Sequence, residues 1–146
     1  MEKKKRRVSL SVRESMESTG LLLISILCGK NVLNFLLDSG SDNNCIDIAS
    51  FSDKMHLLEN SSNALNLFGM EGNTYKCDRR ILRLGDKMNY AIEVTVLPDT
   101  NGLKAFSAQT GYTVHGILGL DFMRRTKCVL DMGNMKVMFD PSALVA

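Results

Sequence analysis

The chain has 146 residues, 45% of them hydrophobic and 23% charged, which is enough apolar material for one domain with a real core and argues against disorder, collagen or coiled coil. Its net charge of +2 is unevenly placed: residues 1–20 hold six Lys/Arg against three Asp/Glu, and the remainder 12 against 13. The body is therefore near neutral and lacks the basic surplus of a nucleic-acid binder, so no nucleic-acid partner is expected.

Residues 1–20 read as a basic, polar leader, flexible and solvated, with a single domain over residues 21–146. The apolar run at residues 21–27 is far shorter than the about 20 residues of a membrane helix, so no membrane contact is expected. An export signal fits poorly, because the polar lead is long and Leu27 stands where a small residue should precede Cys28. The expected compartment is the cytoplasm. Cysteines 28, 45, 77 and 128 form no CxxC pair and His56 and His115 stand alone, so buried, reduced thiols are expected, with no metal and no cofactor. Two disulfides remain the competing reading in an exported chain.

From residue 21 onward the periodicity is that of strands. Residues 21–27 and 32–37 are apolar runs separated by Cys28-Gly29-Lys30-Asn31, which predicts a hairpin. A short helical turn is expected over residues 50–58. Tyr90, Ile92, Val94 and Val96 alternate with Ala91, Glu93 and Thr95, the pattern of a half-buried strand. Residues 98–113 have little periodicity and read as an exposed loop or ragged hairpin. A second short helix is expected over residues 120–126, after Gly119. Two final strands follow, at residues 128–131 and 135–139, joined by a tight turn at Met132-Gly133-Asn134. Many short strands with few helices indicate an all-β barrel or sandwich.

Two segments bear on chemistry. In Phe35-Leu36-Leu37-Asp38-Ser39-Gly40-Ser41 an apolar strand runs straight into a carboxylate, a hydroxyl residue and a glycine. Asp38 is thus offered from the end of a buried strand, where a carboxylate is costly unless something shares its charge. About 80 residues later comes His115-Gly116-Ile117-Leu118-Gly119-Leu120-Asp121-Phe122-Met123, an apolar pair, a glycine and then the short helix. His115, beside a glycine and a buried run, reads as structural rather than catalytic.

Together these segments resemble the retropepsin-like aspartic proteases. That family carries its catalytic aspartate on an apolar-apolar-Asp-Thr/Ser-Gly-Ala/Ser loop. Near the C-terminus an apolar-apolar-Gly element, often continuing Gly-x-Asp-Phe, threads beside that loop. The resemblance spans roughly residues 20–140. It implies an all-β acid-protease barrel with one short C-terminal helix and one lobe per chain.

A chain of this length offers one Asp-Ser-Gly, so the second aspartate of the family's dyad must come from a second copy, in a twofold dimer with the active site on the axis. The resemblance gives Asp38 the role of proton-sharing acid and base. Ser39 would brace the paired loops, and Gly40 would let backbone and water approach. The Ser41 hydroxyl is expected to donate to Asp38, favouring its ionised form and an acidic optimum. Asp42 is expected to meet substrate backbone, with a turn cap or a dimer salt bridge as the competing role. Gly69, Met70, Glu71 and Gly72 would form the tip of a flap closing over an extended peptide, against an ordinary exposed hairpin as the plainer reading. Ile117 would line the cleft, although an apolar residue there is core by default. Asp131 lies in the closing strand without a neighbouring hydroxyl and is not expected to be catalytic. The function implied is an aspartic endopeptidase acting on extended peptides. The alternative is a peptide-binding or dimerisation module on the same fold, with little or no catalysis.

Overall fold

The computed structural model describes residues 7–47, 58–60, 65–66, 76–97 and 101–144. The expected hairpin is present. Strands β2 (Leu23–Cys28) and β3 (Asn31–Leu37) pair antiparallel, with Leu23 opposite Leu36 and Cys28 opposite Asn31. Gly29 takes φ 63°, the left-handed value that a two-residue hairpin turn requires.

The larger sheet extends from this hairpin. β3 pairs in parallel with β9 (Gly116–Leu118), β9 antiparallel with β4 (Cys45–Asp47), and β4 in parallel with β8 (Tyr90–Leu97). β8 forms a long hairpin with β7 (Lys76–Leu84), on which β5 (Leu58–Asn60) and β6 (Leu65–Asn66) also pair. The sheet curls back on itself. Gly29 N–H donates to the Gly85 carbonyl (2.9 Å) and Gly85 N–H to the Leu27 carbonyl (2.7 Å), tying the β2 end to the β7–β8 turn. The result is a half-barrel whose inner face packs one core of residues such as Phe35, Leu37, Ile46, Val94 and Leu118.

A second, three-stranded sheet seals the core, in the order β1 (Val8–Ser11), β11 (Lys136–Phe139), β10 (Val129–Asp131). Phe139 from this sheet meets Phe122 edge to face, ring centroids 5.3 Å apart. The β10–β11 turn falls where the sequence places it. Both Asp131 carboxylate oxygens accept hydrogen bonds from Asn134, from its N–H (3.1 Å) and from its side-chain amide (2.9 Å).

Two expectations are corrected. Residues 7–20 are not a flexible leader: β1 pairs with β11, Val12 is 1% exposed, and α1 (Arg13–Thr19) ends in a left-handed Gly20 whose N–H donates to the Met16 carbonyl. The charge count hid the alternation of Val8 and Leu10 with Ser9 and Ser11, a strand pattern that finds its partner 125 or more residues later. Residues 98–113 are not a loop or hairpin over their length, because Asn101–Thr110 form α2. That helix has weak periodicity of its own and is held by tertiary contacts, chiefly the buried Leu103. The helix expected at residues 120–126 is present as α3 (Leu120–Arg125). A 3-10 turn, Pro141–Ala143, follows the last strand. Most of the turn expected at residues 50–58 lies outside the described residues.

Among the described residues no helix is long and apolar enough to cross a membrane. Cys28 and Cys45 are buried and Cys128 half-buried, and none of these three is in a disulfide.

Candidate active site

β3 delivers Asp38. Its strand ladder continues one residue past Leu37, with Asp38 N–H donating to the Leu118 carbonyl of β9 (3.1 Å). The chain then turns. Gly40 N–H donates to Asp38 Oδ1 (2.9 Å), and Ser41 N–H to the Asp38 carbonyl (3.1 Å). Asp38 is half-buried while Ser39, Gly40 and Asp42 are exposed, so a carboxylate braced by a backbone donor stands beside an open loop tip. A Cβ on Gly40 would lie 3.1 Å from Asp38 Oδ1, which leaves little room for any larger residue.

The second motif threads against this loop. Leu120 N–H donates to the Ser41 carbonyl (2.8 Å) and Asp121 N–H to that of Asp42 (3.1 Å). The two glycines of the motif are required by space. A Cβ on Gly119 would strike the carbonyls of Ser41 and Asn43, and one on Gly116 would strike the Cys45 carbonyl and crowd the Phe35 ring.

Asn44, which the sequence does not single out, and Asp121, from the Gly-x-Asp-Phe continuation of the second motif, join these strands. Asn44 is 2% exposed and its amide is fully engaged. Nδ2 donates to Asp121 Oδ2 (2.9 Å) and to the Glu93 carbonyl (3.1 Å), while Oδ1 accepts the Gly119 N–H (3.1 Å). Asp121 Oδ1 in turn accepts from Arg125 Nε at 2.9 Å. That bond and the Asp121 charge hold the Arg125 guanidinium above its ordinary pKa, with a smaller pull from Glu93. For Asn44 the only sequence hint was a polar residue before the apolar pair Cys45-Ile46, which is commonplace.

The expected Ser41–Asp38 bond is replaced by another. Ser41 Oγ donates to the Asn43 carbonyl (2.8 Å), closing the loop on itself. Ile117 is half-buried and packs on a satellite cluster of Leu23, Leu36, Leu103 and Val114. Gly69, Met70, Glu71 and Gly72 lie outside the described residues, and the strands on either side of them, β6 and β7, pair antiparallel. Asp131 sits in the other sheet, where the Asn134 bonds hold its carboxyl below the ordinary carboxylate range. His115 is tied into the frame: its Nδ1 accepts the Asn34 N–H (3.0 Å) and its own N–H donates to the Asn34 carbonyl (2.8 Å).

No protein-family model matches the sequence, and no curated protein matches it. Solved structures do match. The retroviral protease-like domain of Ddi1 from Leishmania major aligns with TM-score 0.50 and 16% identity, over 86% of this chain and 98% of that one. A retropepsin-like aspartic protease from Rickettsia conorii aligns with TM-score 0.50 and 13% identity, over 92% of this chain and 90% of that one. At such identity the likeness is one of architecture, and it agrees with the curled half-barrel, the threaded β3–β9 pair and the short α3 described above: the chain adopts the retropepsin-like fold.

Proposed function

We propose that the protein is an aspartic endopeptidase, active as a homodimer in which Asp38 of each copy supplies half of a catalytic dyad. The observation that supports this best is the half-buried Asp38 carboxylate, braced by Gly40 N–H beside the exposed residues Ser39 and Gly40. A binding role alone places no such demand on a carboxylate.

Two carboxylates facing each other share one proton, because both cannot ionise at close range. The ionised member takes a proton from a water, whose oxygen attacks the peptide carbonyl carbon, while the protonated member donates to the carbonyl oxygen. Collapse of the resulting gem-diol breaks the C–N bond, and the departing nitrogen takes a proton from the dyad. Ser39 braces the paired loops, and Gly40 offers its carbonyl to the substrate main chain. Asp42, exposed at the loop edge, meets substrate backbone, and Gly69 to Gly72 close over the peptide. The cytoplasm is the proposed compartment, in keeping with three cysteines outside any disulfide.

The test is cleavage of a diverse peptide mixture by wild type and Asp38→Asn from acid to neutral pH at several protein concentrations, with solution mass measured in parallel. Activity lost in the variant, and falling faster than linearly on dilution, is expected. A stable monomer would remove the dyad. A folded, inert dimer would favour the peptide-binding module.

A further inference from the structure

The face of the sheet that bears Asp38 is already furnished. Side chains alternate along β3, so Phe35 and Leu37 enter the main core while Leu36 shares its face with Asp38. Leu36 pairs with Leu23 on β2 and Ile117 on β9. These three form one apolar patch that begins two residues behind the carboxylate. The patch is covered by α2 and the segment after it. Leu103 is 4% exposed and Val114 1% exposed, and Tyr112 packs beside them, leaving Leu23 and Leu36 each at 8%.

The cover is anchored to the strand that carries Asp38. Ser107 Oγ donates to the Leu103 carbonyl (3.1 Å) and accepts the Val114 N–H (3.0 Å), while Asn34 of β3 donates its side-chain amide to the Thr113 carbonyl (2.9 Å). Ile117, still half-buried, is the part of the patch left open to a ligand.

We propose that α2 is the specificity wall of the candidate active site, and that Leu103 sets its depth. This rests on the peptidase reading and narrows its substrate class. An extended peptide lying across Asp38 directs a side chain flanking the scissile bond to Ile117, the open edge of a patch in which Leu36 and Leu103 are already buried. Because Leu103 fills the space over Leu36, the wall takes a small side chain there, Gly, Ala or Ser, and rejects Leu or Phe.

The test compares wild type, Leu103→Val and Leu103→Ala on peptides that vary only at the residues flanking the scissile bond. The core variant Val137→Ala controls for general loosening. Trimming Leu103 is expected to raise kcat/KM for Leu or Phe over Ala by about tenfold or more, the scale of methylene discrimination in apolar pockets, with Leu103→Val moving less. Val137→Ala leaves the preference unchanged. Cleavage with the same preference in all variants would overturn the wall and leave the peptidase standing. If wild type cleaves nothing, methyl NMR of Asp38→Asn with an Ala-flanked and a Phe-flanked octapeptide decides. Shifts at Leu36, Leu103 and Ile117 with the Ala peptide alone, joined by shifts at Leu36 and Ile117 with the Phe peptide once Leu103→Ala is made, would keep the wall and dismiss the peptidase. No shift with either peptide would dismiss both.

Discussion

Asn44 Nδ2 lies 2.9 Å from Asp121 Oδ2, joining the end of the Asp38 loop to the first turn of α3. Because the same amide also holds the Gly119 N–H and the Glu93 carbonyl, one buried side chain fixes three segments. Asn44→Ala strands those partners without water and is expected to cost about 2–4 kcal/mol in chemical denaturation. Asp121→Asn keeps an acceptor for Asn44 but weakens the Arg125 pair, whose guanidinium is over half exposed, so about 1 kcal/mol or less is expected.

Gly119→Ala places a methyl group against two backbone carbonyls that belong to the Asp38 loop. Either the loop or β9 must move. A loss of about 3 kcal/mol or more is expected, together with loss of any peptide cleavage, measured by thermal melts and the same peptide assay. Gly111→Ala is the informative contrast. Nothing lies within 4 Å of its Cβ, and only the left-handed φ of 74° opposes it, so a loss nearer about 1 kcal/mol is expected.

Deleting residues 1–12 removes one of the two partners of β11 and opens the site that Val12 fills. Burial of Val12 alone is worth about 1.5–3 kcal/mol. The shortened chain should therefore unfold at clearly lower denaturant than the full chain, with an unpaired β11 edge promoting aggregation. Equal midpoints would restore the view of these residues as a dispensable leader.

Asp131 has its carboxyl pKa lowered by the Asn134 side-chain and backbone bonds. A group whose folded value is depressed stabilises the fold above its unfolded value, and that contribution is lost as pH falls through the folded value. Asn134→Ala should therefore lower stability at neutral pH and flatten the acid limb of the stability curve. The difference from wild type should vanish once Asp131 is protonated in both states.

What could be read from the sequence was local. The hairpin of β2 and β3, the alternation in β8, the β10–β11 turn and the short α3 each follow from neighbours within a few residues, as does the presentation of Asp38 from an apolar strand. Those signals are side-chain period and turn chemistry, which need no distant partner. The remaining features depend on residues far apart in the chain. β1 is a strand because β11 receives it, α2 is a helix because Leu103 finds the patch beside Asp38, and Asn44 matters because Gly119, Asp121 and Glu93 converge on one amide. A buried asparagine or a weakly amphipathic helix has no signature of its own. Only folding brings together the partners that make burial of the polar amide affordable.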